Sequence, residues 1–191
     1  MKIIGIAGTN GSGKDTVGQI LETDYGYLFV SVTDILRNEL KKQDKPIVRE
    51  NMRELGDRWR REYGLSVLID KAVEIYSSKQ QEYKGLVIAS IRNVGEVEHI
   101  HGLGGIVIWV DAAPKVRYQR AIGRSRSDED AKTYEEFLRE EQDEMNAYGD
   151  EASLAMNEVK KLCDLSIENN SDDKKVLEDT VSQAVRNALL D

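Results

Sequence analysis

Five short apolar runs are spaced along a chain that is otherwise polar and heavily charged. The first, "KIIGIAG" (2–8), is apolar on both parities, the pattern of a strand buried on both faces. "YLFVSV" (27–32), "GLVIAS" (85–90), "GIVIWVDA" (105–112) and "DLSIENN" (164–170) predict four more strands. Residues 14–24 predict a helix that Gly26 ends. Residues 173–190 predict another, with Val176, Leu177, Val181, Ala184, Val185, Ala188 and Leu189 along its apolar side. Strands alternating with helices predict an α/β fold with right-handed crossovers and a mainly parallel sheet.

The spacing of the strands is uneven. More than fifty residues separate the second run from the third, about twice what one crossover helix needs. This stretch is helical in pattern and is broken most clearly at Pro46. A second excursion, 115–150, opens "KVRYQRAIGRSRSDED" and continues as a highly charged helix. The chain therefore reads as one domain: a core of about 1–33, 85–115 and 150–191, an insert of about 34–84, and a second insert of about 116–149. No internal repeat or Gly/Ser linker interrupts it.

At 191 residues, the chain is long enough for a substantial core. Hydrophobic residues make up 40% and charged residues 32%, the balance of a soluble globular protein. The formal charge of −8 argues against a stable nucleic-acid partner or an acidic membrane surface, so an anionic ligand must be caught by a local cluster of Lys and Arg. No apolar stretch approaches the roughly 20 residues that span a bilayer, and the single cysteine, Cys163, makes no internal disulfide. The expected compartment is cytoplasmic, and the expected assembly a monomer or homodimer.

The strongest chemical signal comes directly after the first strand. "GTNGSGKDT" (8–16) fits the phosphate loop G-x-x-x-x-G-K with a strand before it and a helix after it. Gly8, Gly11 and Gly13 let the backbone N–H groups of Thr9, Asn10 and Ser12 converge on oxygens, the helix N-terminus adds positive potential, and Lys14 reaches the β and γ phosphates. Asp15 stands where a Ser or Thr usually holds magnesium, and the third strand ends at Ala89 without the usual acid. Asp15 has two readings. It supplies the metal-side carboxylate, with the Thr16 or Ser90 hydroxyl nearby, or it is an acid favourably placed in the first turn of a helix.

The loop, the two excursions and the spread of arginines resemble the nucleoside monophosphate kinase branch of P-loop kinases. The variant G-K-D-T is similar to the loop of phage-type deoxynucleoside monophosphate kinases. Overall the chain is most similar to small, mostly archaeal P-loop proteins related to dephospho-CoA kinase and adenylate kinase, through "IRNVGEVE", "YEEFLREE" and "CDLSIENN". The resemblance implies a three-layer α/β fold with a five-stranded parallel sheet in 2-3-1-4-5 order, an acceptor-binding helical insert and a mobile lid. It implies ATP as phosphoryl donor, magnesium as cofactor and small-molecule nucleotides as partners. "SVTDILR" then places Thr33, Asp34 and Arg37 at the acceptor, and "SIRN" places Arg92 on the same phosphate. "LGDRWRREYG" offers Arg58 and Arg61, and "RYQRAIGRSR" offers the lid arginines Arg120 and Arg124, with Arg117 and Arg126 as further candidates.

The arginines have a use apart from any family, because phosphoryl transfer needs two anions brought together and their growing charge compensated. Arginine binds phosphate oxygens bidentately and stays charged. The lid arginines also have a structural use, pairing with the acidic run from Asp128 to Glu144. Three functions stay open: transfer to a nucleoside or deoxynucleoside monophosphate, transfer to a hydroxyl as in dephospho-CoA kinases, or an NTP-dependent switch without a small acceptor. Asp34 divides the first two, as general base for a hydroxyl or as cap of a helix starting at Ile35. Among the remaining residues, His99 and His101 lack the partners of a metal site. Trp59 fits packing between helices or stacking on a base. Asn93 with Glu96 predicts a helix start, and Pro114 a first helical turn.

Overall fold

In the computed structural model, which describes residues 2–123, 133–146 and 149–189, each expected strand forms. They are β1 (Lys2–Gly8), β2 (Tyr27–Ser31), β3 (Gly85–Ile91), β4 (Ile106–Asp111) and β5 (Leu165–Glu168). All pair in parallel, in the order β2-β3-β1-β4-β5. Helices α1 (Lys14–Tyr25), α2 (Val32–Lys42), α3 (Arg49–Tyr63), α4 (Val67–Ser77) and α5 (Val94–Gly102) precede β4. Helices α6 (Pro114–Gly123), α7 (Tyr134–Met145), α8 (Met156–Leu162) and α9 (Lys174–Leu189) come after it. Three helices, α2 to α4, fill the long excursion between β2 and β3. Among the described residues, no helix is long and apolar enough to cross a membrane.

Each strand sends alternate residues to opposite faces, and both faces are covered. Ile4, Ile6, Val87, Ala89, Ile108, Val110 and Ile167 pack beneath α1 and α9. Ile3, Leu86, Ile88, Val107 and Trp109 belong to the other core, with Leu68, Ile69, Val97, Ile100 and Val159 from α4, α5 and α8. Among the described side chains, the apolar seam of α9 is Leu177, Val181 and Val185, all buried; the side chains of Ala188 and Leu189 lie outside the described ones. Val176, which the apolar pattern placed on that seam, is 49% exposed, because it lies one residue off the i, i+4, i+8 row.

Several local signals work as the sequence implied. Gly26 ends α1 with a left-handed φ of 75°. Asn93 and Glu96 form a reciprocal capping box at the start of α5, and α6 begins at Pro114. Trp59 is buried between the insert helices, with the Lys71 ammonium 4.5 Å from its ring centre. One expectation is corrected: α2 starts at Val32 with Ser31 as its N-cap residue. Asp34 therefore lies inside the first turn rather than capping a helix at Ile35.

The C-terminal end of β3 is shaped by a bulge. Ile6 pairs with Ala89 and Ala7 with Ile91, which leaves Ser90 as the extra residue at φ 70°. A bulge bends its strand and re-aims the side chains beyond it. Two residues beyond Ser90 stands Arg92.

A buried polar junction then fixes this corner. Glu96 is fully buried; one carboxylate oxygen accepts from the Arg60 guanidinium at 2.7 Å and the other from the Arg92 and Asn93 amides at 2.8 and 3.1 Å. Arg60 also donates to Asp57 and to the Ala152 carbonyl, while the Asn93 side-chain Nδ2 donates to the carbonyls of Glu151 and Ser153. Glu96→Ala leaves a buried arginine unpaired and two amides without an acceptor. The expected loss is about 3–5 kcal/mol of unfolding free energy, measured by denaturant titration, with Glu96→Gln losing less because its carbonyl keeps the amides satisfied.

Candidate active site

The loop 8–16 crosses the carboxyl end of the central strand, where ligands of open parallel sheets bind. Its shape is dictated by close neighbours. Gly11 (φ 80°) abuts the Arg117 carbonyl on α6, and Gly13 (φ 95°) abuts the Asn169 amide after β5; a Cβ at either would run into them. Asn169 donates to the Ser12 carbonyl at 2.9 Å, which ties the loop to the end of the sheet. Ser12 and Lys14 both turn back to the Thr9 carbonyl, at 2.9 and 2.7 Å. Asp15 and Thr16 are half-buried in the first turn of α1.

Asp111, at the end of β4, supports the loop from the other side. Its carboxylate accepts from the Thr9 hydroxyl at 3.2 Å, the Trp109 indole at 3.3 Å and the Ala112 amide at 2.9 Å. It also lies 3.4 Å from the Arg117 guanidinium. Arg117 is buried, donates to the Ala112 carbonyl at 2.6 Å and pairs with Glu141 of α7. Burial pulls its pKa down from the usual arginine value, against the nearby charge of Asp111.

Beside the loop is a cavity of about 160 Å³, lined by Gly13, Thr16, Arg120, Asn169, Lys174 and Leu177 among others. Arg120 closes its edge: the guanidinium donates to the carbonyls of Asn169 and Ser171 at 2.8 and 2.7 Å and pairs with Asp172. It thus stands at the flank of the loop next to the β5 end. Arg124 and Arg126 lie outside the described residues.

On the opposite flank, Arg92 leaves the end of β3 and pairs with Glu144 of α7 at 3.0 Å. Burial alone would raise the Glu144 pKa, but Arg92, Arg49 and Lys14 outweigh it and hold the carboxyl below its usual range. The remaining acceptor candidates are spread over the insert. Thr33 and Asp34 sit in the first turn of α2, where Asp34 takes a hydrogen bond from Arg37 at 2.8 Å on an exposed face. Arg58 is exposed on α3, and Arg61 pairs with Asp150 at the surface, holding that carboxyl at about 2. The arginine of this stretch that is buried is Arg60.

Asp111, Asn169, Arg49 and Glu144 join the site without having been singled out in the sequence. Asp111 and Asn169 had a usable signal, a polar residue ending a buried strand next to or near the loop strand. Arg49 and Glu144 had none beyond their charge. His99 and His101 pair with different acids, Asp70 and Asp164. Among the described residues, no group of three His, Cys, Asp or Glu side chains is placed to hold a metal. Burial lifts the Cys163 thiol to about 12, which removes it as a nucleophile.

A glycine-built phosphate loop on a parallel sheet in this order defines a P-loop protein of kinase-type fold. The family described as AAA domain matches residues 4–149, and the chain belongs to it. It belongs also to the UPF0200 proteins: it is 31% identical to one from Methanococcus maripaludis over 76% of this chain and 79% of that one. It is 36% identical to one from Pyrobaculum aerophilum over 72% and 74% of the two chains. Among solved structures, the shikimate kinase from Acinetobacter baumannii in complex with shikimate shares the fold, with a TM-score of 0.58 at 16% identity over 99% and 95% of the two chains. A putative kinase from Chloroflexus aurantiacus does so at 0.57 and 19% over 97% and 96%.

The loop geometry generates a direct test. Gly13→Ala places a side chain against Asn169 in a left-handed backbone, a strain of about 1–3 kcal/mol. ATP affinity measured by titration calorimetry is expected to fall about tenfold or more at that scale, while the circular dichroism of the sheet is retained.

Proposed function

We propose that this protein is an ATP- and magnesium-dependent phosphotransferase acting on a small phosphorylated acceptor, a nucleoside or deoxynucleoside monophosphate. The observation that carries this reading is Arg92. It sits at the end of the strand beside β1, its backbone N–H is fixed by Glu96 and its carbonyl by the Ala155 amide, and its guanidinium holds a carboxylate near Lys14. A switch that only binds and hydrolyses NTP needs no second cation held so firmly beside the loop.

On this reading, the loop amides and Lys14 bind the donor phosphates. The cavity between Thr16, Arg120 and Asn169 takes the donor nucleoside, and Arg92 binds the acceptor phosphate. Residues 34–84 serve as the acceptor insert and 116–149 as the lid. The donor set suits magnesium: Asp15 and Thr16 offer hard oxygens beside a loop whose glycines leave room for phosphate. Magnesium needs only one or two protein oxygens when substrate phosphates and water complete its shell. When bound, the ion neutralises charge on the β and γ oxygens, and Asp15 provides the carboxylate that Ala89 lacks.

A monophosphate acceptor attacks through an already ionised oxygen and needs no base, whereas a hydroxyl acceptor does. Asp34 is engaged with Arg37 on an exposed helix face, which favours the monophosphate. The test is transfer from radiolabelled Mg-ATP to a panel of ribo- and deoxynucleoside monophosphates and dephospho-CoA. Phosphorylation of a monophosphate is expected, with Lys14→Ala slowing turnover about a hundredfold or more and Arg92→Ala raising the acceptor KM but not that for ATP. A loss of about a hundredfold or more in Asp34→Asn would move the reading to a hydroxyl acceptor. ATP binding without transfer to any acceptor would leave the switch.

A further inference from the structure

We infer that Arg49 is a second ligand of the acceptor's phosphate and that Glu144 occupies its place when no acceptor is bound. This rests on the phosphotransferase reading above. Three chain segments far apart in sequence meet at one point: the first residue of α3, the residue after β3 and the last turn of α7. The Glu144 carboxylate lies 3.0 Å from Arg92 and 4.0 Å from Arg49, and Arg49 lies 3.5 Å from Glu140. The loop residue Asn10 lines the same small cleft, together with Arg49, Phe137, Glu140, Glu141 and Glu144. Arg49 therefore faces the end of the phosphate loop, where an acceptor must present its phosphate for in-line transfer, and Arg92 is joined to the same point through Glu144.

The cleft is nearly full. What remains open between these side chains is about 10 Å³, barely the space of one water. A phosphate enters only if the α7 carboxylates leave. Glu144 can act as a stand-in because a carboxylate and a phosphate present the same paired oxygens to an arginine fork. It can be displaced because it brings one negative charge where a phosphate monoester brings up to two.

The contacts of α7 suit such an exchange. Its N-terminal half is anchored on α6, where Tyr118 meets the rings of Tyr134 and Phe137 at 5.3 and 5.7 Å between centres. In its C-terminal half Glu141 stays on the buried Arg117, while Glu140 and Glu144 are held by ion pairs with the partly exposed Arg49 and Arg92, contacts that are individually weak. The acceptor must also carry a phosphate, since a neutral hydroxyl compound has nothing to offer Arg49 and Arg92 in exchange for the carboxylate.

The test uses inorganic pyrophosphate as the anion, titrated calorimetrically into protein saturated with Mg-ADP so that the phosphate loop is filled. Glu144→Gln is expected to bind pyrophosphate about fivefold more tightly than the parent, the scale of one partly exposed ion pair. Arg49→Ala and Arg92→Ala are each expected to bind it about tenfold more weakly, the scale of one charged hydrogen bond. Equal or weaker binding by Glu144→Gln, parent-like binding by Arg49→Ala, or no binding by any of the proteins overturns the inference. Failure of Mg-ADP to bind counts instead against the phosphotransferase reading. The same titration without ADP then decides the inference by the same ordering of variants.

Discussion

The loop between β1 and α1 can take only one path because its neighbours occupy the space a side chain would need. The α6 backbone stands against Gly11 and the Asn169 amide against Gly13. These contacts tie the loop to the β5 end, while Asp111 holds Thr9 at the β4 end. The sheet order makes this possible, since β1 lies in the centre with β4 beside it and β5 next along. A loop built of amides pointing inward has to be rigid before the ligand arrives, or its ordering would be charged against binding. Here the rigidity comes from the packed ends of three strands.

Charge is handled by a similar economy of position. The chain carries 35 acidic and 27 basic residues, yet Lys14, Arg49 and Arg92 all bear on one carboxylate, and Arg117 is buried against Asp111 and Glu141. The acids of α7 neutralise Arg49, Arg92 and Arg117, the first two being the cations proposed to meet phosphate. The buried Arg60–Glu96 pair has a different part. It touches no ligand candidate directly, but it fixes the backbone from which Arg92 projects and anchors α3, the helix that begins at Arg49. Arg49 and Arg92, the two cations of the proposed acceptor site, therefore depend on one buried carboxylate.

The strands, the phosphate loop, the helix start at Asn93 and the sheet order were legible because each has a local signature or a strongly implied topology. The apolar runs ended within two residues of the observed strands. The proposed acceptor side was less legible. In "LGDRWRREYG" the sequence offers three arginines, and periodicity cannot say which faces inward; Arg60 does, while Arg58 and Arg61 face solvent. Arg49 and Glu144 are 95 residues apart in a chain full of charges, so their meeting is a product of tertiary folding alone. Asp34 shows the opposite case. Its place after the second strand suggested chemistry, and the structure gives it an arginine partner one turn away on the same helix.

On the proposed function, one cleft holds two anions at once, the donor's phosphates on the loop and a second phosphate on Arg92. Adenosine 5′-pentaphosphate tests this without knowledge of the acceptor, because on this reading its extra phosphates would extend from the loop toward Arg92. Its affinity, measured by titration calorimetry, is expected to exceed that of ATP by about tenfold or more, since the second contact is made within one ligand. That gain is expected to vanish in Arg92→Ala. Equal affinities for ATP and the pentaphosphate in the parent protein, or a gain that survives in Arg92→Ala, would contradict it.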